Sequence, residues 1–384
     1  MASDFLWSEK FWFQNGVTWK DLESHDPNVY YPKVNDINLS FIVGLIFIVI
    51  RYTNERFIIV PLGRYLGIKD RKAAVVADIP ALESCFKLTK GKQKLTDDEM
   101  KRVCKQTDMT EREVERWFFK RRMKNSPTAM MRFRECSWHF IFYSISFTYG
   151  LIILWNKPWF SDTRYCWAGW PHQPVTNDLY YLYLMELSFY WSLIFTLVYD
   201  VKRKDFKEMV IHHVATMVLV YFSWVINFVR VGTLIFVIHD ASDHWMAAAK
   251  MAKYCKRQML CEFLFFTFLA IWVVCRLIFF PFWVLHTTYV ELWTEISGLG
   301  YAFYMFNGLL FVLQILHIIW SYFIVRVLVQ KIRCGKVQKD TRSDTESDDG
   351  QSDEAGDSNR VSNHVSNGSL NSLQHRNINT AKTK

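Results

Sequence analysis

The sequence predicts an all-α fold: a polytopic membrane bundle of about seven helices, with a small three-helix domain inserted after the first. Three observations carry that prediction. Apolar residues make up 51% of the 384 and aromatic residues 17%, gathered into stretches near the ~20 residues a tilted helix needs to cross a bilayer. Lys and Arg collect in alternate connections between those stretches. Ionisable side chains lie inside two neighbouring stretches, where inserting one Asp costs about 2.5–3.5 kcal/mol, so a chain that keeps several there is expected to use them.

Residues 1–36 are rich in Trp and Phe and read as a lumenal segment lying at the membrane interface. Its start, "MASDFLWSEKFWF", lacks a basic n-region and a continuous apolar core, so no cleaved signal is expected. The first span is expected over about 37–59, with Arg51 and Arg56 in its second half. Residues 70–126 read as a soluble insert. Six further spans fall within 130–333, at about 138–155, 179–199, 208–229, 231–252, 259–285 and 301–329. Backbone groups in lipid must bond within their own segment, so helices are expected and sheets are not. From 334 to 384 the chain is acidic and Ser-rich, with nothing to bury, and should be disordered. There Ser343 and Thr345 each precede an acidic residue by three, a spacing that suits an acid-directed kinase.

Orientation follows from the basic residues. The connection after the first span is basic from Arg51 through Lys124. The next holds only Lys157 and Arg164, and the one after it carries Lys202, Arg203, Lys204 and Lys207. Arg230 stands alone, Lys250, Lys253, Lys256 and Arg257 follow, and residues 286–300 contain no Lys or Arg. The N-terminus is therefore expected in the lumen, with the insert and the C-terminus in the cytosol. The formal charge of +9 then lies mostly on cytosolic faces and suits anionic lipid headgroups or a polyphosphate ligand. The eight cysteines include no CxxC pair for zinc and make no disulfide framework.

In the insert, Thr96 with Glu99 and Thr110 with Glu113 have capping-box spacing, in which hydroxyl and carboxylate satisfy open N–H groups at a helix start. Leu82, Cys85 and Phe86 form one apolar stripe, Met100, Val103 and Cys104 a second, and Val114, Trp117 and Phe118 a third. The last stripe, with Arg121 and Arg122, resembles a homeodomain recognition helix. Lys120 stands where homeodomains carry the asparagine that reads adenine. Losing that side chain removes the main base contact, so sequence-specific DNA binding is not expected. A structural or regulatory role is expected instead, with the basic helix facing phosphates of lipid or cofactor.

The chemistry is sought within the membrane. "VIHHVATM" holds His212 and His213, and "HDASDHWMAAAK" holds His239, Asp240, Asp243 and His244. With 1.5 Å per residue, His212 lies about 7–8 Å into its helix from the cytosolic side, Asp243 about 10 Å and Asp240 about 15 Å from the cytosolic end of the next. Antiparallel packing would bring them to similar depth. A carboxylate beside an imidazole fixes its tautomer and raises its basicity, which suits a base or a nucleophile. The spacing also admits a structural polar cluster or a metal site. Membrane hydroxylases and desaturases carry several HxxHH-type clusters, and this chain has none, so no metal is assigned. Glu186 and Arg276 are further charges within spans and are expected to pair.

The run of His239, Asp240 and Asp243 ending in Lys250 resembles the signature of the TLC-domain ceramide synthases. So do the His212–His213 pair, "ELSFYWSL" from Glu186 to Leu193 and "DVKRKDF" from Asp200 to Phe206. A degenerate homeodomain ahead of the TLC domain is typical of the animal members. The resemblance covers about residues 10–345. It implies an endoplasmic reticulum N-acyltransferase that joins a fatty acyl group from acyl-CoA, as co-substrate and without a cofactor, to sphinganine or sphingosine. It implies catalysis by His212, His213, Asp240 and Asp243, and association in homo- or hetero-dimers. One histidine, His212, is expected to accept the acyl group, and Asp243 or Asp240 to help deprotonate the incoming amine; direct attack with histidine as general base is the alternative. His239, Lys202, Arg203, Lys204, Lys250 and Lys253 are candidate substrate contacts, the lysines and arginine toward the phosphates. The chain departs from the family at Ala247, where a glutamate is usual. A lipid-sensing TLC protein without catalysis, or a regulator acting through the insert, would be the alternatives.

Overall fold

The computed structural model describes residues 7–13, 16–24, 26, 28–69, 76–89, 95–197, 200, 205–296 and 300–334. The expected tail beyond 334 lies outside them. Each of the seven predicted stretches is helical. In chain order the helices used below are α1 (Val34–Asn54), α2 (Pro80–Leu88), α3 (Asp97–Thr107), α4 (Glu111–Asn125), α5 (Ala129–Leu154), α6 (Asn177–Thr196), α7 (Phe206–Val225), α8 (Val229–Tyr254), α9 (Gln258–Trp272) and α10 (Ala302–Cys334). Past Trp272, α9 runs on in wider turns over Val273–Leu285, which accommodate Pro281 inside the helix.

Among the described residues, five helical stretches are long and apolar enough to cross a membrane: Val34–Tyr65, Glu111–Leu154, Phe206–Val225, Gln258–Glu295 and Ala302–Arg333. The two that fall short, α6 and α8, are 20 and 26 residues long. They carry the tyrosines, Glu186 and the His–Asp run, so polarity and not length sets them apart. The outward faces of the apolar helices fit lipid. Phe41, Ile42, Leu45, Ile46 and Val49 on α1, and Phe311, Ile315 and Ile318 on α10, are exposed.

α8 is the hub of the bundle and packs against α5, α6 and α9. α1 lies on α6 at a distance only glycine permits: a Cβ on Gly44 would sit 2.7 Å from the Cβ of Trp191. Where α1 passes into the wider turn Glu55–Ile59, Arg51 bonds Asp200 at 2.6 Å and Glu55 at 2.8 Å, and Arg134 also pairs with Glu55. This ties α1 to α5 and to the end of α6.

α2, α3 and α4 form a small separate core. Leu82, Val103, Val114, Trp117 and Phe118 are buried together, and the Trp117 indole N–H donates to the Ala77 carbonyl at 2.7 Å. Both capping boxes form: Thr96 accepts from the Glu99 N–H and Thr110 from that of Glu113. Arg121 turns inward, with two bonds to Glu83 at 2.8 Å and its guanidinium over the Phe86 ring at 5.0 Å.

That pair gives a pH prediction. The hydrogen bond from Arg121 holds the Glu83 carboxyl below its ordinary range. A depressed folded-state value contributes stability that is present above the unfolded-state value and is lost as pH falls through the folded one. Glu83→Gln is therefore expected to make residues 76–125 easier to proteolyse at neutral pH. The gap between the two proteins should close as the medium is acidified through the carboxylate range. A gap independent of pH would show that the pair contributes nothing.

Candidate active site

Two cavities open on either side of Tyr190. The first is lined by His212 and His213 from α7, Asp243 and Lys250 from α8, Arg276 from the continuation of α9 and Trp320 from α10. The second is lined by Glu186, Thr216, His239 and Asp240 at one end and mostly by apolar side chains toward the other. Tyr190 lines the second cavity, and its ring lies 6.4 Å from that of His212 and 5.9 Å from that of His213.

The predicted quartet is thus divided. His212, His213 and Asp243 face one space, while Asp240 faces the other with His239. Helix geometry explains it: three residues of α8 separate the aspartates by about 60° around the axis and about 4.5 Å along it. At the hub helix that is enough to send the two side chains into different packing gaps.

Asp243 is held by two donors, Arg276 Nη2 at 3.1 Å and Ser242 Oγ at 3.1 Å. Arg276, almost wholly buried, also donates to the His239 carbonyl at 2.9 Å and to His317 Nε2 at 3.0 Å, and lies 5.2 Å over the Trp272 ring. A guanidinium only donates, so His317 Nε2 accepts and its proton sits on Nδ1. His239 Nδ1 faces the Ile235 carbonyl at 2.8 Å; a carbonyl only accepts, so that nitrogen carries a proton and leaves Nε2 as the open position.

Glu186 and Arg276, expected to pair, do not take each other as partners. Glu186 accepts from Ser146 Oγ on α5, and it lines the second cavity together with Asp240 of α8. Arg276 is taken by Asp243 instead, because α6 and α9 meet different parts of α8. Charges at like depth satisfy their nearest neighbours.

Buried polar atoms remain open at the site: His212 Nδ1 beside the first cavity, and His239 Nε2, Asp240 Oδ2, Thr216 Oγ and Asn307 Oδ1 around the second. Such groups are costly unless something bonds them, which marks where a polar ligand would fit. The His212 ring meets Trp320 edge to face at 5.3 Å, which sets its orientation. Among the described residues no group of three or more His, Cys, Asp or Glu side chains is arranged to hold a metal ion.

Of the basic candidates, Lys250 lines the first cavity. Lys253 does not; it lies one turn further on, near the end of α8. Lys202, Arg203 and Lys204 lie outside the described residues. Sequence reasoning also misses Tyr190, Ser146 and His317. His317 has a legible signal, a histidine inside a long apolar helix, and Tyr190 lies within the "ELSFYWSL" run, whereas Ser146 has none, being ordinary in a membrane helix.

Fold and site together define a multi-pass membrane protein with a histidine–carboxylate centre between its helices. A TLC-domain model matches residues 132–326 and a homeodomain model residues 69–125. The chain is 43% identical to ceramide synthase 5 of Mus musculus over 340 residues, 88% of this chain and 81% of that protein. It is 39% identical to ceramide synthase 4 of Homo sapiens over 343 residues, 89% of this chain and 86% of that protein. Against ceramide synthase LOH1 of Arabidopsis thaliana the identity is 39% over 236 residues, 58% of this chain and 76% of that protein. The chain belongs to the ceramide synthase family.

Proposed function

We propose that the protein makes ceramide by moving a fatty acyl group from acyl-CoA to the amine of sphinganine or sphingosine, with His212 and Asp243 at the reacting centre. One observation carries the assignment: the paired histidines of α7 and Asp243 of α8 border a single cavity, and an apolar cavity lies beside it across Tyr190. The first suits the thioester and the amine, the second the acyl chain.

The chemistry then runs in two steps. An imidazole nitrogen of His212 attacks the thioester carbonyl; the C–S bond breaks and CoA leaves as a thiolate, which takes up a proton. The sphingoid base arrives as an ammonium. Asp243 takes its proton, and the freed amine attacks the acyl-imidazole, forming the amide and restoring His212. Arg276, bonded to Asp243, keeps that carboxylate aimed into the cavity. Lys250 at the same cavity is placed to meet the phosphates of CoA. Asp240 and Glu186, which line the acyl cavity, belong to its wall and not to the reacting centre. The reaction needs no cofactor, since the thioester supplies the activation.

The seven-span bundle is assigned to the endoplasmic reticulum membrane, the N-terminus in the lumen and the homeodomain-like domain and C-terminus in the cytosol. The alternation of Lys and Arg along the chain supports this orientation. Purified protein given sphinganine and a panel of acyl-CoAs tests the function. Mass spectrometry should find ceramide, with one free CoA released per amide. No amide from any acyl-CoA would reject the reading.

A further inference from the structure

The second cavity follows α8 from Asp240 toward Val231, about 14 Å at 1.5 Å per residue. At its far end Trp167, Phe228, Leu292 and Phe306 close it. Those rings are backed by the segment ahead of α1. Trp12 is fully buried, with its ring 6.5 Å from Phe306 and 5.0 Å from Phe222. Phe13, 3% exposed, lies 6.0 Å from Trp170, and Trp170 lies 5.9 Å from Phe228. Trp19 packs on both, 6.2 Å from Trp12 and 4.9 Å from Phe13.

The backbone fastens the same contact. Gly300, two residues before α10, donates its N–H to the Trp12 carbonyl at 3.3 Å. No other residue would fit there: a Cβ on Gly300 would lie 2.5 Å from the Lys10 carbonyl oxygen and 2.6 Å from that of Phe11. An aromatic segment that merely anchors a protein at the membrane surface leaves its rings outward, toward headgroups. Trp12 and Phe13 turn inward, onto residues that close a cavity.

We propose that Trp12, Phe13 and Trp19 form the outer layer of the floor of the acyl cavity, so that these residues ahead of α1 help set the longest fatty acyl chain the enzyme accepts. This rests on the reading of that cavity as the acyl site. Phe306 is the ring the end of the chain meets, and Trp12 stops Phe306 from yielding. In an apolar pocket, one methylene that fits or fails to fit changes discrimination by about tenfold or more.

The test offers full-length enzyme a mixture of saturated acyl-CoAs of graded length with sphinganine, and reads the ratio of ceramide products. That ratio is insensitive to how much folded protein each variant yields. Trp12→Ala, which removes the support, and Gly300→Ala, which pushes the segment away, should both raise the share of longer chains, by about tenfold for the first chain beyond the normal limit. Phe306→Ala, at the cavity wall itself, should do the same. If Trp12→Ala yields no folded enzyme, Trp12→Leu carries the same expectation in weaker form. A product ratio unchanged in the Trp12 and Gly300 variants, with Phe306→Ala altering it, would overturn the proposal while leaving the acyl site in place. A ratio that none of the three alters would reject the acyl-site reading as well.

Discussion

His212→Ala is expected to abolish ceramide formation, a loss of about 10³-fold or more, and to abolish any acyl adduct on the enzyme. The argument is geometric. Successive residues of a helix point about 100° apart, so His212 and His213 cannot present their rings to one carbonyl in the same way. The His212 ring is set by Trp320, and its buried Nδ1 has no partner, so the imidazole is positioned without being engaged. Asp243→Asn should reduce turnover by about 10²–10⁴-fold, the range for a positioned acid or base, but should leave the first half-reaction intact. Enzyme mixed with acyl-CoA alone and quenched rapidly should therefore carry an acyl group in the unaltered protein and in Asp243→Asn, on the peptide holding His212, and none in His212→Ala. Full activity with no adduct at any quench time would exclude the covalent route and leave direct attack, with a histidine as base. An adduct on His213 would exchange the roles of the pair.

How far the sequence could be read depends on the kind of interaction. Both capping boxes of the small domain are legible because they are local: Thr96 and Thr110 each find their glutamate three residues on, whatever surrounds them. The apolar stripes of α2, α3 and α4 are legible because the helical period alone puts Leu82, Val103 and Trp117 on buried faces. The convergence of His212, His213 and Asp243 follows from depth and antiparallel order, both countable from the chain. The partners across the bundle are not countable in that way. Whether Glu186 meets Arg276 or Asp240 depends on which side of α8 each neighbouring helix takes, and that is set by many apolar contacts together. Arg121 is a similar case. Its place in a homeodomain-like motif suggests a phosphate contact, while Glu83, far from it in sequence, takes it inward.

Arg276→Met should be the most damaging change among residues that need not touch substrate, costing about 3–5 kcal/mol of stability and about 10²-fold in turnover. A buried guanidinium bonded to Asp243, His317 and the His239 carbonyl cannot be removed without leaving those groups open, and breaking one partner out of a buried pair has that cost. Arg276→Lys should recover little, because one compact ammonium cannot reproduce the planar fork that reaches four acceptors on two helices. The partner can be identified by a double-mutant cycle read as melting temperature in detergent. Asp243→Asn in the Arg276→Met background should cost much less than it does alone, since the carboxylate it removes has already lost its counter-charge, with a coupling of about 1–3 kcal/mol. Glu186→Gln should show no such coupling, because Glu186 takes its hydrogen bond from Ser146 and lines the other cavity. If instead the coupling appeared with Glu186 and not with Asp243, Arg276 would belong to the wall of the acyl cavity. Asp243 would then stand without the cation that aims it, and the division of the two aspartates between proton transfer and chain binding would have to be reversed.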